Sequence, residues 1–182
     1  MKIKTQRLIL RPLKKGDEKN ILENINNLKV SRYLAVVPYP YYMKDAKWFV
    51  NDCIKKSKDK KPKDIVFGIE FEKKIIGVIG LHKIDYFNQT ASAGVWLGEK
   101  YWRKGIMSEA LKAIINFAFN KLKLRRINTG AFVENTASNE MQKKFGFKFE
   151  GVKRKGQKSK ATGKIHDENL YGLLKENWKN KK

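Results

Sequence analysis

The chain is expected to fold as an α+β sandwich: a mixed sheet with helices packed on both faces. Three observations lead there. β-rich runs alternate with amphipathic helical segments along the chain. No internal repeat and no linker-like stretch divides it, so residues 1–182 are expected to form a single domain. Near the middle, a strand-like run enters a tight basic loop with one glycine and leaves it as a long helix. That stretch is Tyr101-Trp102-Arg103-Lys104-Gly105-Ile106-Met107-Ser108-Glu109-Ala110-Leu111.

Thr5 to Pro12 alternates Leu8 and Leu10 with charged residues, as a strand with one wet face does. Asp17 is placed to cap the next helix, whose buried stripe is Ile21, Leu22, Ile25 and Leu28. Tyr33 to Tyr42 is aromatic and holds Pro38 and Pro40, which make it a loop or a broken helix. Asp45 to Ile54 reads as a second helix with Trp48, Phe49, Val50, Cys53 and Ile54 near one face. The run Lys55 to Lys63 is basic and self-repelling, a solvated loop. Ile65 to Phe71 and Ile75 to Leu81 flank Glu72-Lys73-Lys74 as a hairpin, with His82 at a strand end on the surface.

Ala91 to Leu97 is the strand that delivers the central loop. After the loop, Leu111, Ile114, Ile115, Ala118 and Leu122 mark one helical face. Arg126 to Val133 is a strand, Thr136 to Lys144 a short helix, and Phe147 to Val152 and His166 to Leu174 late strands. Lys153 to Ile165 is the basic connection between them.

Composition narrows the chemistry. Lys plus Arg is 41 against 18 acids, a formal net charge of +23. Such a field attracts polyanions, so ribosomal RNA is a candidate partner; a lysine-rich surface with no partner is the alternative. No window is long and apolar enough to span a membrane, and Met1-Lys2-Ile3-Lys4 lacks an apolar signal core, so a cytoplasmic protein is expected. Cys53 is the single cysteine and is expected to be buried and inert. No His, Cys and carboxylate set has metal-ligand spacing, and no metal is expected. No Ser-His-Asp arrangement is evident. The glycine fingerprint of nicotinamide dinucleotide sites is absent.

The central loop points backbone N–H groups and a helix N-terminus at one place, an anion site suited to a pyrophosphate. Gly105 lets a phosphate approach the backbone, and Arg103 and Lys104 add positive charge. A second stretch strengthens this reading. The strand Arg126 to Val133 runs into Glu134-Asn135-Thr136-Ala137-Ser138-Asn139-Glu140 and then Lys144-Phe145-Gly146-Phe147. The two stretches together resemble motifs A and B of the GNAT superfamily of N-acetyltransferases. The wording is most similar to the branch of ribosomal-protein alanine and serine acetyltransferases, as are Thr5 to Pro12 and Asp167 to Leu174.

The resemblance implies a mostly antiparallel sheet of six to seven strands and acetyl-CoA as co-substrate. It implies that the backbone of Val95, Trp96 and Leu97 pairs with the pantetheine arm. The pyrophosphate would sit on the N–H groups of Arg103, Lys104, Gly105, Ile106, Met107 and Ser108. Asn135 and Ser138 match cofactor-contacting positions, with helix capping as the alternative for both. Ser138 is the candidate proton donor to the departing sulfur. In this family the Tyr33 to Tyr42 region helps form the acceptor pocket.

Two departures stand out. Gln142 occupies the position of a tyrosine acid found in many members, and Lys153 to Lys158 has no carboxylate where the branch can place a base. Glu134, His166 and Asp167 are the remaining candidate bases, a water relay is equally open, and Asp167 has a structural alternative. Trp102 reads as loop packing, and Met107 as a slight widening of the loop. The expected acceptor is a protein N-terminal α-amine, whose pKa of about 7.7–8.0 leaves part of it neutral. The alternatives are a small-molecule amine, and a basic RNA- or ribosome-binding protein without transfer activity. A monomer or homodimer is expected.

Overall fold

Ile75 and Ile76 are neighbours in sequence, and both are fully buried, on opposite faces of one strand, β4 (Lys74–Asp85). A strand buried on both faces needs cover on both. The computed structural model, which describes residues 1–179, supplies it; residues 180–182 of the expected 1–182 domain lie outside the described residues. On one face lie α1 (Glu18–Ile25) and α3 (Met43–Lys56), joined through α2 (Leu28–Ser31). On the other lie α4 (Ile106–Asn116), which continues into a π-helical turn at Phe117–Lys121, and α5 (Thr136–Lys144). A short α6 (Lys175–Lys179) ends the described chain.

The sheet has eight strands in the order β1-β2-β3-β4-β5-β6-β8-β7. They are β1 (Ile3–Lys4), β2 (Ile9–Arg11), β3 (Ile65–Phe71), β4, β5 (Thr90–Leu97), β6 (Arg126–Phe132), β7 (Lys148–Lys158) and β8 (Ile165–Leu174). All neighbours pair antiparallel except β5 and β6, which are parallel. The count exceeds the expected six to seven because Ile3–Lys4, ahead of the expected strand Thr5 to Pro12, forms a strand of its own. Thr5 N donates to Leu8 O and Thr5 Oγ1 accepts from Leu8 N, so Thr5 to Leu8 is a stitched turn and only Ile9–Arg11 of the expected run is strand.

Four other expectations need correction. Asp17 does not cap α1 with its side chain. Its carboxylate accepts from Arg11 Nη1 and Nη2, both at 2.8 Å, and from Lys14 N. Arg11 also meets Glu70 in this buried network, and the hydrogen bond to Asp17 raises the guanidinium pKa despite burial. Leu28 is exposed, because it opens a separate short helix capped by the Asn27 side chain. Trp48 is 69% exposed: Ala46, Val50 and Cys53 define the buried face of α3, and Trp48 points away from it. Finally, β7 runs past Val152 to Lys158, through charged residues with a register shift between Lys153 and Gln157. Neither of its faces alternates cleanly, which hid it from the period-two pattern.

The β7–β8 connection folds back over the sheet. Lys160 N donates to Ala35 O at 3.0 Å, and the hydroxyl of fully buried Ser159 donates to Arg32 O. The Tyr33 to Tyr42 loop is thereby tied to the far side of the sheet. Cys53 is buried as expected, and burial pushes its thiol up to about 12. Among the described residues no helix is long and apolar enough to cross a membrane, and no cluster of three or more His, Cys, Asp or Glu side chains could hold a metal ion.

Candidate active site

β5 and β6 pair only at Thr90–Arg126, Ala91–Ile127 and Ser92–Asn128, and then they part. Thr129 Oγ1 donates to Ala93 O at 3.4 Å in the crotch of the V. Farther out, Trp102 Nε1 donates to Leu97 O at 2.7 Å. The carbonyls of Ala93 and Leu97 thus face the opening. Strand geometry alternates, so the N–H and C=O of Val95 face it too, while those of Gly94 and Trp96 face β4. Of the three strand residues singled out by sequence, Val95 offers a free donor and acceptor. Trp96 lines the cleft with its side chain, and Leu97 has its carbonyl occupied by Trp102.

The cleft encloses about 340 Å³. A hollow of about 610 Å³ between β1 and the outer side of α4 is larger, but the one acid lining it, Glu109, is held by Thr5 and Arg7. The chemistry therefore lies in the V.

At the outer end of β5, Gly105 takes φ 73°, a left-handed conformation suited to glycine, and opens α4 with no side-chain cap. The first intrahelical bond is Glu109 N to Gly105 O. The N–H groups before it have no acceptor within the helix and point outward. Arg103, Lys104 and Gly105 are exposed, whereas the side chains of Ile106 and Met107 are buried and contribute backbone only; Ser108 is half-buried. Met107 therefore packs into the core and does not widen the loop. Arg7, which sequence reasoning missed, braces this loop. Its Nη1 donates to Lys104 O at 3.0 Å and its Nε to Glu109 Oε2 at 2.7 Å.

The other arm carries α5. Asn135 is its cap, accepting from Ser138 N at 3.2 Å. Ser138 is not a cap: its hydroxyl lines the cleft and makes no hydrogen bond among the described residues. Asn139, also missed, ties α5 down. Its amide donates to the carbonyls of Phe132, Val133 and Asn135, and its oxygen accepts from Tyr171 OH and Asn169 Nδ2. Gln142 is buried beside the cleft, and its Oε1 has no hydrogen-bond partner among the described residues.

The candidate bases read from sequence lie elsewhere. Glu134 is drawn to its own backbone N–H and then to His166, whose Nδ1 is 3.3 Å from Glu134 Oε1; both hold the Glu134 carboxyl below its usual range. The His166 ring stacks on Phe132 at 4.3 Å. Asp167 Oδ1 accepts from Lys155 N at 2.7 Å across the irregular part of β7. None of Glu134, His166 and Asp167 lines the cleft. The titratable side chains that do, among the described residues, are Tyr33, His82 and Glu168. His82 sits within β4 rather than at its end, with Nδ1 3.4 Å from Asp64 Oδ1. Glu168 was legible only through strand parity, since it neighbours Asp167 but faces the other way.

A sheet opened at a parallel pair beside an uncapped helix N-terminus is one half of the assignment; the match to known proteins is the other. The acetyltransferase (GNAT) domain family matches residues 7–148. This chain belongs to the GNAT acetyltransferases. It is 31% identical over 175 residues to an uncharacterized N-acetyltransferase, YoaA, of Bacillus subtilis (strain 168), covering 95% of this chain and 96% of the relative. It is 36% identical over 109 residues to the ribosomal-protein-serine acetyltransferase of Escherichia coli (strain K12), 60% of each chain. Among solved structures, the microcin C7 self-immunity acetyltransferase MccE, in complex with acetyl-CoA and AMP, has a TM-score of 0.80 and 25% identity over 93% of both chains.

The GNAT protein is thus an acyltransferase of a family that uses acetyl-CoA. Its residues fit that co-substrate. The open N–H groups of α4 suit a pyrophosphate, the free backbone edge at Val95 suits an amide-bearing arm, and the unpartnered Ser138 hydroxyl suits a sulfur.

Proposed function

We propose that this GNAT protein acetylates a single α-amine at a protein N-terminus, with acetyl-CoA as donor. The observation that carries this reading is the charge of the cleft. The chain holds 41 Lys and Arg, yet among the described residues none lines the opening; one carboxylate, Glu168, does. Around it stand Leu34 to Val37, Phe49 and Trp96, mostly apolar walls. Such a site takes one cationic head and tolerates the chain behind it. A polyamine carries several cations and would need several acids. The Escherichia coli relative, named for a ribosomal-protein serine, supports the same reading. A ribosome-borne substrate also suits a molecule of net charge +23, because RNA attracts such a field without sequence preference.

In this reading acetyl-CoA supplies an activated acetyl thioester. Val95 aligns the arm as an added strand partner. The α4 N-terminus, with Arg103 and Lys104, holds the pyrophosphate, and Ser138 donates to the developing thiolate. Glu134 and Asp167 remain possible only through a water relay, because their carboxylates are engaged outside the cleft. The test is an acceptor panel: peptides with free N-termini, the same peptides blocked at the N-terminus but carrying lysine, and spermidine. The expected result is acetyl-CoA-dependent thiol release with the free-terminus peptides, and fragmentation that places the acetyl group on the α-amine. Acetylation of spermidine or lysine, with free N-termini untouched, would contradict it.

A further inference from the structure

On each arm of the V, a glycine of the inner strand lies beneath a titratable side chain of the outer strand. On β5, a Cβ added at Gly94 would sit 3.2 Å from the His82 ring, which reaches over from β4. On β6, a Cβ at Gly130 would sit 2.3 Å from Glu168 Oε1, which reaches over from β8. A side chain at Gly130 would displace the Glu168 carboxyl, and one at Gly94 would press on the His82 ring. The two side chains approach one opening from its two sides, and both line it.

They also share a face of the sheet. Gly130 pairs with Leu170 and Phe132 with Glu168, so Glu168 projects on the face opposite Tyr171, whose hydroxyl reaches α5. His82 pairs with Ser92 and shares its face with Trp96, which packs into the cluster of α1 and α3. Ser138 and the N-terminus of α4 lie on the other face. One group of acid–base side chains therefore approaches the opening from the α1/α3 face, and the anion site and the free hydroxyl approach it from the α4/α5 face.

We propose that Glu168 receives the acceptor amine and takes its proton, from the face of the sheet opposite the coenzyme arm. The proposal rests on the acetyl-transfer reading of the cleft. The amine nitrogen's lone pair forms the new N–C bond to the thioester carbonyl carbon, and the C–S bond breaks with its electron pair on sulfur. An ammonium gives up one proton to become a nucleophile and a second as the amide forms. Both leave through Glu168 to water, while the sulfur takes one proton back, for a net release of one. Gln157 Nε2, 3.5 Å from Glu168 Oε2, steadies the carboxylate. The titratable and charged groups around it are Lys153, its register partner on β7, and His82 and Tyr33 across the cleft. His82 forms the opposite wall, braced by Asp64.

The experiment compares wild type, Glu168→Gln and Gly130→Ala with the acceptor that wild type uses best, across the pH range that brackets an α-amine pKa of about 8. In Glu168→Gln, acceptor kcat/KM is expected to fall about 100-fold at neutral pH, in the range of general-base catalysis. The deficit should shrink as rising pH supplies neutral amine, and thermal stabilisation by acetyl-CoA should equal that of wild type. Gly130→Ala, which keeps the charge but fills its place, should lose acceptor turnover in the same direction. Near-parental turnover in folded Glu168→Gln, or a loss of equal size at every pH, would overturn the proposal. The two readings separate cleanly. If wild type prefers a small amine to every peptide, the N-terminal reading fails while the Glu168 test still runs on that amine. If acetyl-CoA does not bind wild type, both fail.

Discussion

Ser138 carries a free hydroxyl because Asn135 does the capping. That division separates two roles a sequence cannot tell apart, since Asn and Ser are both frequent caps. Ser138→Ala is expected to lower kcat by about 10- to 1,000-fold, the range for removing one transition-state donor, with little change in unfolding free energy. Stability loss of about 1 kcal/mol with normal turnover per folded molecule would mark a cap instead. The base shows the limit of residue-level reading. Asp167 and Glu168 are adjacent and chemically alike, and one strand position decides which faces the cleft. Composition cannot supply that parity; it depends on the register of β8 against β6. The reach of Glu168 over Gly130 was equally invisible, because the two are distant in sequence and meet only across that register.

At the scale of elements, the loop before α4 is held from outside. Glu109 accepts from Thr5 Oγ1 and from Arg7, and Arg7 in turn holds Lys104 O. Burial would raise the Glu109 carboxyl, but hydrogen bonds from Thr5 and Arg7 outweigh it and hold it below its ordinary value of 4.5. A carboxyl lowered in the folded state stabilises the fold above its unfolded pKa, and this contribution is lost as pH falls through the folded value. Glu109→Gln is therefore expected to weaken acetyl-CoA binding at neutral pH by loosening the loop. It should also flatten the acid limb of a stability-against-pH curve below pH ~4.5. An unchanged acid limb, measured by urea titration at several pH values, would remove Glu109 as the brace. The strand–loop–helix unit itself was legible, because its apolar period and its glycine are local signals. The length of β7 was not. Its charged outer half is a strand because β8 pairs with it, not because of its own pattern.

For the whole molecule, the sequence supplied the α+β class and the family motifs, and the eight-stranded sheet bears them out. The contrast between a chain of net charge +23 and a cleft that no described lysine or arginine lines was not legible, because lining is a property of the folded chain. That contrast leads to a further expectation. Association with nonspecific RNA should weaken steeply with salt, and charge reversal in Lys55 to Lys63 or Lys153 to Lys164 should reduce the slope while sparing acetyl-CoA affinity. A flat salt response would mean that the basic surface has no such partner.

The central claim is that the parting of β5 and β6 holds the coenzyme arm at Val95. Its most direct test is the stability of wild type and Val95→Pro with and without acetyl-CoA. Proline removes the Val95 N–H that faces the opening and leaves the ladder to β4 with its donors, a position where strands tolerate it. Wild type should gain about 2.7 kcal/mol at a hundredfold excess over Kd. Val95→Pro, compared with its own unliganded state, should lose most of that gain. An equal gain in the two proteins, or none in wild type, would contradict the account.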